Sequence, residues 1–149
     1  MQAPVRMLYI YPVIPAVEYP YLGRDIRVRF SVPGVCLPVR TRSGGVLLLP
    51  WGQREGEPGP FPLGSCASLE AIKAGEWDYW FPIPVKLPLT RMLELDRHRR
   101  CSWSFPLVRG NCVQGLVARD GAEQRVYVVT FWCEDEGVQL PRVMVSPGC

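Results

Sequence analysis

Arg125-Val126-Tyr127-Val128-Val129-Thr130-Phe131 is the stretch whose reading decides the fold. Nearly every position is β-branched or aromatic, and the apolar residues occupy odd and even positions alike. A strand with one wet face alternates in polarity; a strand covered on both faces does not. The run is therefore expected to be a central strand. Just upstream, Asp120-Gly121 is a dipeptide that tolerates the positive φ of a tight hairpin turn, so Val113–Ala118 is expected to pair with Arg125–Phe131. Ser43-Gly44-Gly45 plays the same part between Val35–Arg40 and Val46–Leu49.

Further strands are expected at Ile83–Leu87, Met92–Leu95, Trp103–Leu107 and Arg142–Val145, each short and bounded by Gly, Pro or polar residues. Sixteen prolines spread along 149 residues leave little room for uninterrupted helix. The best helix candidate is Ala67–Ala74, stopped by Gly75. Gln53–Gly64, rich in Gly, Pro and Glu, reads as a long surface loop. The expected architecture is mostly β (α+β), a β-barrel or packed sheets with a few short helices, forming a single domain over residues 1–149.

Composition narrows the function classes. No run of about 18 apolar residues is present for a membrane helix. Met7–Val17 is apolar but broken by Pro12 and Pro15, and reads as a core segment rather than a signal peptide. The six cysteines, Cys36, Cys66, Cys101, Cys112, Cys133 and Cys149, include no CxxC pair, and His98 is the only histidine. No metal site and no cofactor is expected, and reduced thiols in a cytoplasmic, monomeric protein are the default.

The net charge of +3 is unevenly spread. Residues 1–54 carry seven arginines (Arg6, Arg24, Arg27, Arg29, Arg40, Arg42, Arg54) against Glu18 and Asp25, a net of +5. Fifteen of the seventeen basic residues are arginine. Guanidinium groups pair bidentately with phosphate and stack on bases, so the bias suits nucleic-acid contact; a GC-rich genome gives the same bias without function. Trp77, Tyr79, Trp80 and Phe81 form an aromatic cluster that reads as packing before base stacking. His98, within Asp96-Arg97-His98-Arg99-Arg100, reads as part of a solvated turn.

Several segments in order resemble one family. Arg29-Phe30-Ser31-Val32-Pro33-Gly34, followed by Leu37-Pro38-Val39, is similar to the early YNVAP segment and next strand of the SRAP (SOS response-associated peptidase) family. Pro50-Trp51-Gly52 resembles its tryptophan-glycine step, and Cys66-Ala67-Ser68-Leu69-Glu70-Ala71 stands where it has a NARAET-type motif. Val85–Leu95 resembles its CLIPADGFYEW segment, and Val113-Gln114-Gly115-Leu116 and Val128-Val129-Thr130 its AGLW and IIT strands. Gln139-Leu140-Pro141-Arg142-Val143 resembles its closing RMP segment.

The resemblance implies capture of abasic sites in single-stranded DNA by an N-terminal cysteine, whose α-amine and thiol close a thiazolidine on the sugar aldehyde. The chain departs from that plan. Position 2 is Gln, the asparagine slot is Cys66, the arginine slot is Ser68, Leu95 replaces a tryptophan, and Gly137 lies near the expected histidine. A start at an upstream Met-Cys would restore the nucleophile. Glu94 is the surviving candidate acid/base, while Cys66 and Glu70 occupy altered active-site slots. The DNA-facing residues implied are Arg40, Arg42, Trp51, Arg54, Ser68 and Arg91. The expectation is an SRAP-like domain that binds single-stranded or damaged DNA, with crosslinking or peptidase-type chemistry weakened or lost. Two rivals remain open: a non-enzymatic interaction domain derived from a phage or mobile element, and a different enzyme using Glu94 with Cys66.

Overall fold

The structure, a computed structural model, describes residues 14–95, 98, 100–103 and 111–145. The first half contains β1 (Ala16–Tyr21), β2 (Arg24–Arg29), β3 (Cys36–Arg40), β4 (Val46–Pro50), β5 (Cys66–Ser68), helix α1 (Leu69–Lys73) and a 3-10 turn (Asp78–Trp80). The second half contains β6 (Ile83–Leu87), β7 (Arg91–Leu95), β8 (Cys101–Trp103), β9 (Asn111–Asp120), β10 (Glu123–Cys133), β11 (Val138–Pro141) and β12 (Val143–Val145). The molecule is mostly β, as the sequence suggests.

β10 is the spine. It lies antiparallel to β9, antiparallel to β11 and parallel to β5, and β6 and β12 extend the sheet from β9. Its residues Val126 to Thr130 are all buried. Alternation divides them between two cores. Val126 and Val128 join Ile14, Val17, Leu37, Trp51, Leu87, Met92 and Val113 on one side. Tyr127 and Val129 join Phe61, Ala67, Trp77, Leu116 and Ala118 on the other. The absence of polar alternation thus has its expected cause.

The Asp120-Gly121 turn forms as expected: Asp120 faces Glu123, and Gly121 takes φ +61°. β3 and β4 make the other expected hairpin, with Gly44 at φ +89° and Thr41 N–H donating to the Gly45 carbonyl at 2.9 Å. β1, β2, β7 and β8 form a four-stranded sheet in the order β2-β1-β7-β8. Only β7 and the start of the Trp103 run belong to segments expected to be strands; residues 104–107 of that run lie outside the described residues.

Three local differences have physical reasons. Helix α1 begins at Leu69 instead of Ala67, because Cys66, Ala67 and Ser68 pair with Val128, Val129 and Thr130 of β10. Ser68 then caps the helix, its Oγ accepting from Ala71 N–H at 3.1 Å. The Gln53–Gly64 loop is pinned rather than loose. Gln53 and Gly64 exchange backbone hydrogen bonds, Phe61 is buried, and Tyr127 Oη donates to the Pro62 carbonyl at 2.6 Å. The aromatic cluster divides. Trp77 packs edge-on against Tyr127 at 4.7 Å, while Tyr79 and Phe81 are exposed.

Candidate functional site

A cross-strand row builds the floor of a cavity. Arg29 of β2 faces Ala16 of β1, Ala16 faces Leu93 of β7, and Leu93 faces Trp103 of β8. Side chains two residues apart share a face, so Arg27 and Glu18 join this row while Val17, Val28 and Met92 turn into the core. Phe30 and Ser31 follow β2 at one rim. The pinned loop supplies Gln53, Arg54, Glu55, Leu63 and Gly64 at the other. The cavity is open on one side and has a volume of about 420 Å³.

The arginines here are held in place. The Arg27 guanidinium lies 4.2 Å from the Trp103 ring centre and its Nε donates to Glu18 Oε2 at 2.7 Å. Arg91, opposite Glu18 in register, approaches the same ring at 5.7 Å. The Arg54 guanidinium carbon lies 4.2 Å from the Phe30 ring centre; Arg54 donates from Nε to the Phe30 carbonyl at 2.5 Å and pairs through Nη1 with Glu57 Oε1 at 3.1 Å. Guanidinium-over-ring packing of this kind contributes about 0.5–2 kcal/mol each, depending on desolvation. Its larger consequence is to fix cationic planes at the cavity wall. Burial alone would raise the Glu57 carboxyl, but hydrogen bonds from the Arg54 backbone N–H and guanidinium outweigh it and hold Glu57 below the usual carboxylate range.

Of the six DNA-facing residues expected from the sequence, Arg54 lines this cavity and Arg91 reaches it through Trp103. The other four do not line it. Trp51 is a correction: it is fully buried, its Nε1 donates to the Ser65 carbonyl at 2.9 Å, and its ring meets Phe30 edge-on at 5.3 Å. It carries Phe30 rather than a ligand. Ser68 caps helix α1. Arg40 sits partly buried on β3, donating to the Gly44 carbonyl at 3.5 Å, and Arg42 is exposed in the adjoining turn.

The altered slots read similarly. Cys66 is buried, and burial pushes its thiol up to about 11, so it is not a nucleophile at neutral pH. Its Sγ lies 3.4 Å from Ser65 Oγ, and among the described residues no hydrogen bond joins it to Glu94. Glu70 stands on α1, where it accepts from Trp132 N–H and Gln139 Nε2, each at 3.2 Å; it ties the helix to β10 and β11. Cys36, Cys101 and Cys133 are also free thiols, but Cys112 is disulfide-bonded, which corrects the expectation of reduced thiols throughout. Sequence spacing carries no information on such pairing. His98 is exposed in a turn.

Glu94 neighbours Leu93 in β7, and strand alternation turns it to the face opposite the cavity. Desolvation first, and the nearby Glu136 carboxylate second, raise its pKa. A carboxyl raised in the folded state costs stability once ionised. The cost is absent below its unfolded value near 4 and complete above its folded value. Glu94→Gln should therefore raise the thermal midpoint at neutral pH and leave it unchanged well below about pH 4. Melts at both pH values check this, and an unchanged midpoint at neutral pH would refute it.

Sequence reasoning missed Arg27, Arg29, Phe30, Gln53 and Trp103 as site residues. One signal was present: Arg27 and Arg29 alternate with Ile26 and Val28, the pattern of a half-buried strand whose wet face is cationic. Among the described residues, no group of three or more His, Cys, Asp or Glu side chains is placed to hold a metal ion, and no helix is long and apolar enough to cross a membrane. Comparison with family models, with curated proteins and with solved structures returns no match.

Proposed function

We propose that this chain binds single-stranded DNA, damaged strands included, through the cavity between β1, β2, β7, β8 and the 53–64 loop. The carrying observation is the convergence of Arg27, Arg29 and Arg54 with the rings of Phe30 and Trp103 on one concave surface. Arginine supplies phosphate contacts and planar stacking, and aromatic rings supply sequence-tolerant stacking of about 1–3 kcal/mol per base. Duplex DNA hides its base faces, so the rings favour single strands. The SRAP resemblance supports the same reading, and it makes abasic strands the damage of interest. With Cys66 buried, crosslinking chemistry is taken as weakened or lost in this reading. The reading takes the chain as a cytoplasmic monomer.

A gel-shift or anisotropy titration tests it. Affinity should exceed that for duplex and fall with salt. With three arginines on phosphate, the slope of log K against log salt should be about −2. A flat salt response, or no preference for single strands, would shift support to the non-enzymatic interaction domain. Mixing the chain with an abasic oligonucleotide and running a denaturing gel tests the chemistry: this reading expects no covalent band.

A further inference from the structure

We infer that Glu18, an anion beside a site for a polyanion, is a positioning residue: it holds Arg27 so that the rest of the guanidinium is left to grip one phosphate of the strand. This rests on the nucleic-acid reading above and adds which residue sets the grip. Arg27 lines the cavity and Glu18 does not. Two donors of Arg27 go to one oxygen: Nε to Glu18 Oε2 at 2.7 Å, and Nη2 to the same atom. Nη1 has no hydrogen-bond partner among the described residues. The Arg27 side chain is 51% exposed, whereas that of Glu18 is only 12% exposed. The guanidinium is therefore tied along its Nε–Nη2 edge to a shielded carboxylate. It keeps Nη1, with the second proton of Nη2, for a ligand.

The surroundings explain why a carboxylate belongs there. Register sets Glu18 of β1 directly opposite both Arg27 of β2 and Arg91 of β7. Both guanidiniums approach one ring, Trp103, at 4.2 and 5.7 Å. Two cations beside one ring repel each other, and the carboxylate between them offsets that repulsion. The backbone of Glu18 is itself fixed. Its carbonyl accepts from Thr90 N–H at 2.8 Å and from Thr90 Oγ1 at 3.1 Å, which ties it to the residue before β7. An ion pair with a half-exposed arginine contributes little to stability. Its effect here is orientation, since Arg27 is held by the ring on one side and the carboxylate on another. Donors placed before the ligand arrives lose less side-chain freedom on binding, and a pair of phosphate oxygens matches them. Counted by charge alone, the carboxylate is a defect, and a polyanion should bind better without it. Positioning makes the opposite prediction.

The experiment titrates labelled oligothymidylate by fluorescence anisotropy, at one fixed salt, against the full chain, Glu18→Gln, Arg27→Gln and the double variant. Glu18→Gln should weaken binding about tenfold, although it makes the chain more positive. In the Arg27→Gln background the same change should cost nothing, because no guanidinium is left to hold. Unchanged or tighter binding by Glu18→Gln alone would overturn the positioning role while leaving the DNA reading intact. An equal loss in both backgrounds would overturn it too, since a fold defect acts without Arg27. Arg27→Lys tests the grip with Glu18 untouched. Lysine keeps the charge and can still meet the carboxylate, but it has no second edge to offer, so it should bind about tenfold more weakly than the unaltered chain. Normal binding by that variant would overturn the two-sided use of Arg27. Failure of the unaltered chain to bind would remove the DNA reading and this inference together.

Discussion

Gly52→Ala is expected to destabilise the fold by about 2–5 kcal/mol and to abolish binding at the cavity. Two terms add. Gly52 takes φ +56°, a left-handed conformation that costs an L-residue roughly 1–2 kcal/mol. A Cβ there would also stand 2.2 Å from the Gly64 carbonyl oxygen and 2.8 Å from Phe30 Cε1. The first contact is with backbone, so no rotamer change relieves it, and overpacking of this kind costs about 1–3 kcal/mol. Gly64 O is also the acceptor for Gln53 N–H, so the clash falls on the hydrogen bond that closes the 53–64 loop. For a chain of this size, the thermal midpoint should fall by roughly 5–20 °C. Gly44→Ala is the control: φ is +89° there, but nothing lies within 4 Å of the added carbon. It should show the backbone term alone. Equal shifts in the two variants, by thermal melts, would refute the close-approach argument.

Such close approaches mark the boundary of what a sequence discloses. The central strand and its hairpin were legible because their causes are local. A run apolar on both faces needs cover on both sides, and Asp-Gly turns tightly whatever surrounds it. The β1–β2 hairpin was not, because Leu22 and Gly23 occupy its turn, both at positive φ, without the Asn-Gly or Asp-Gly signal. Pro20 further demotes β1, and the four charges of β2 disguise its alternation. β5 was lost because tertiary pairing with β10 overrode local helical propensity in Cys66–Ser68. The cavity was least legible of all. Arg29, Ala16, Leu93 and Trp103 are neighbours only through strand register, and register across 77 residues of sequence between Ala16 and Leu93 has no short-range signature. Arg54 lines the cavity from the loop that follows the tryptophan-glycine step, while Trp51 of that step belongs to the core.

Arg54→Lys tests whether shape or charge governs the cavity. Arginine at this position does four things at once. It donates from Nε to the Phe30 carbonyl, pairs through Nη1 with Glu57, places its guanidinium over the Phe30 ring, and buries Nη2. Lysine retains the charge but places its three donors on one atom, which cannot serve partners on different sides of a plane. Single-stranded DNA affinity should fall by about tenfold or more, the scale of one lost charge-assisted hydrogen bond. The salt slope should stay near its original value, because the count of cations is unchanged. Arg54→Gln, by contrast, should lose affinity and also flatten the slope by about 0.7. A lysine variant that binds normally would reduce Arg54 to a simple counter-charge. Stability carries a second readout. Glu57, held low by Arg54, contributes stability above its unfolded value near 4 and loses it as pH falls through its lower folded value. The stability gap between the original chain and Arg54→Lys should therefore be widest at neutral pH and narrow at strongly acid pH. Urea titrations at the two pH values measure it, and a gap independent of pH would mean that the loss comes from the Phe30 contacts alone.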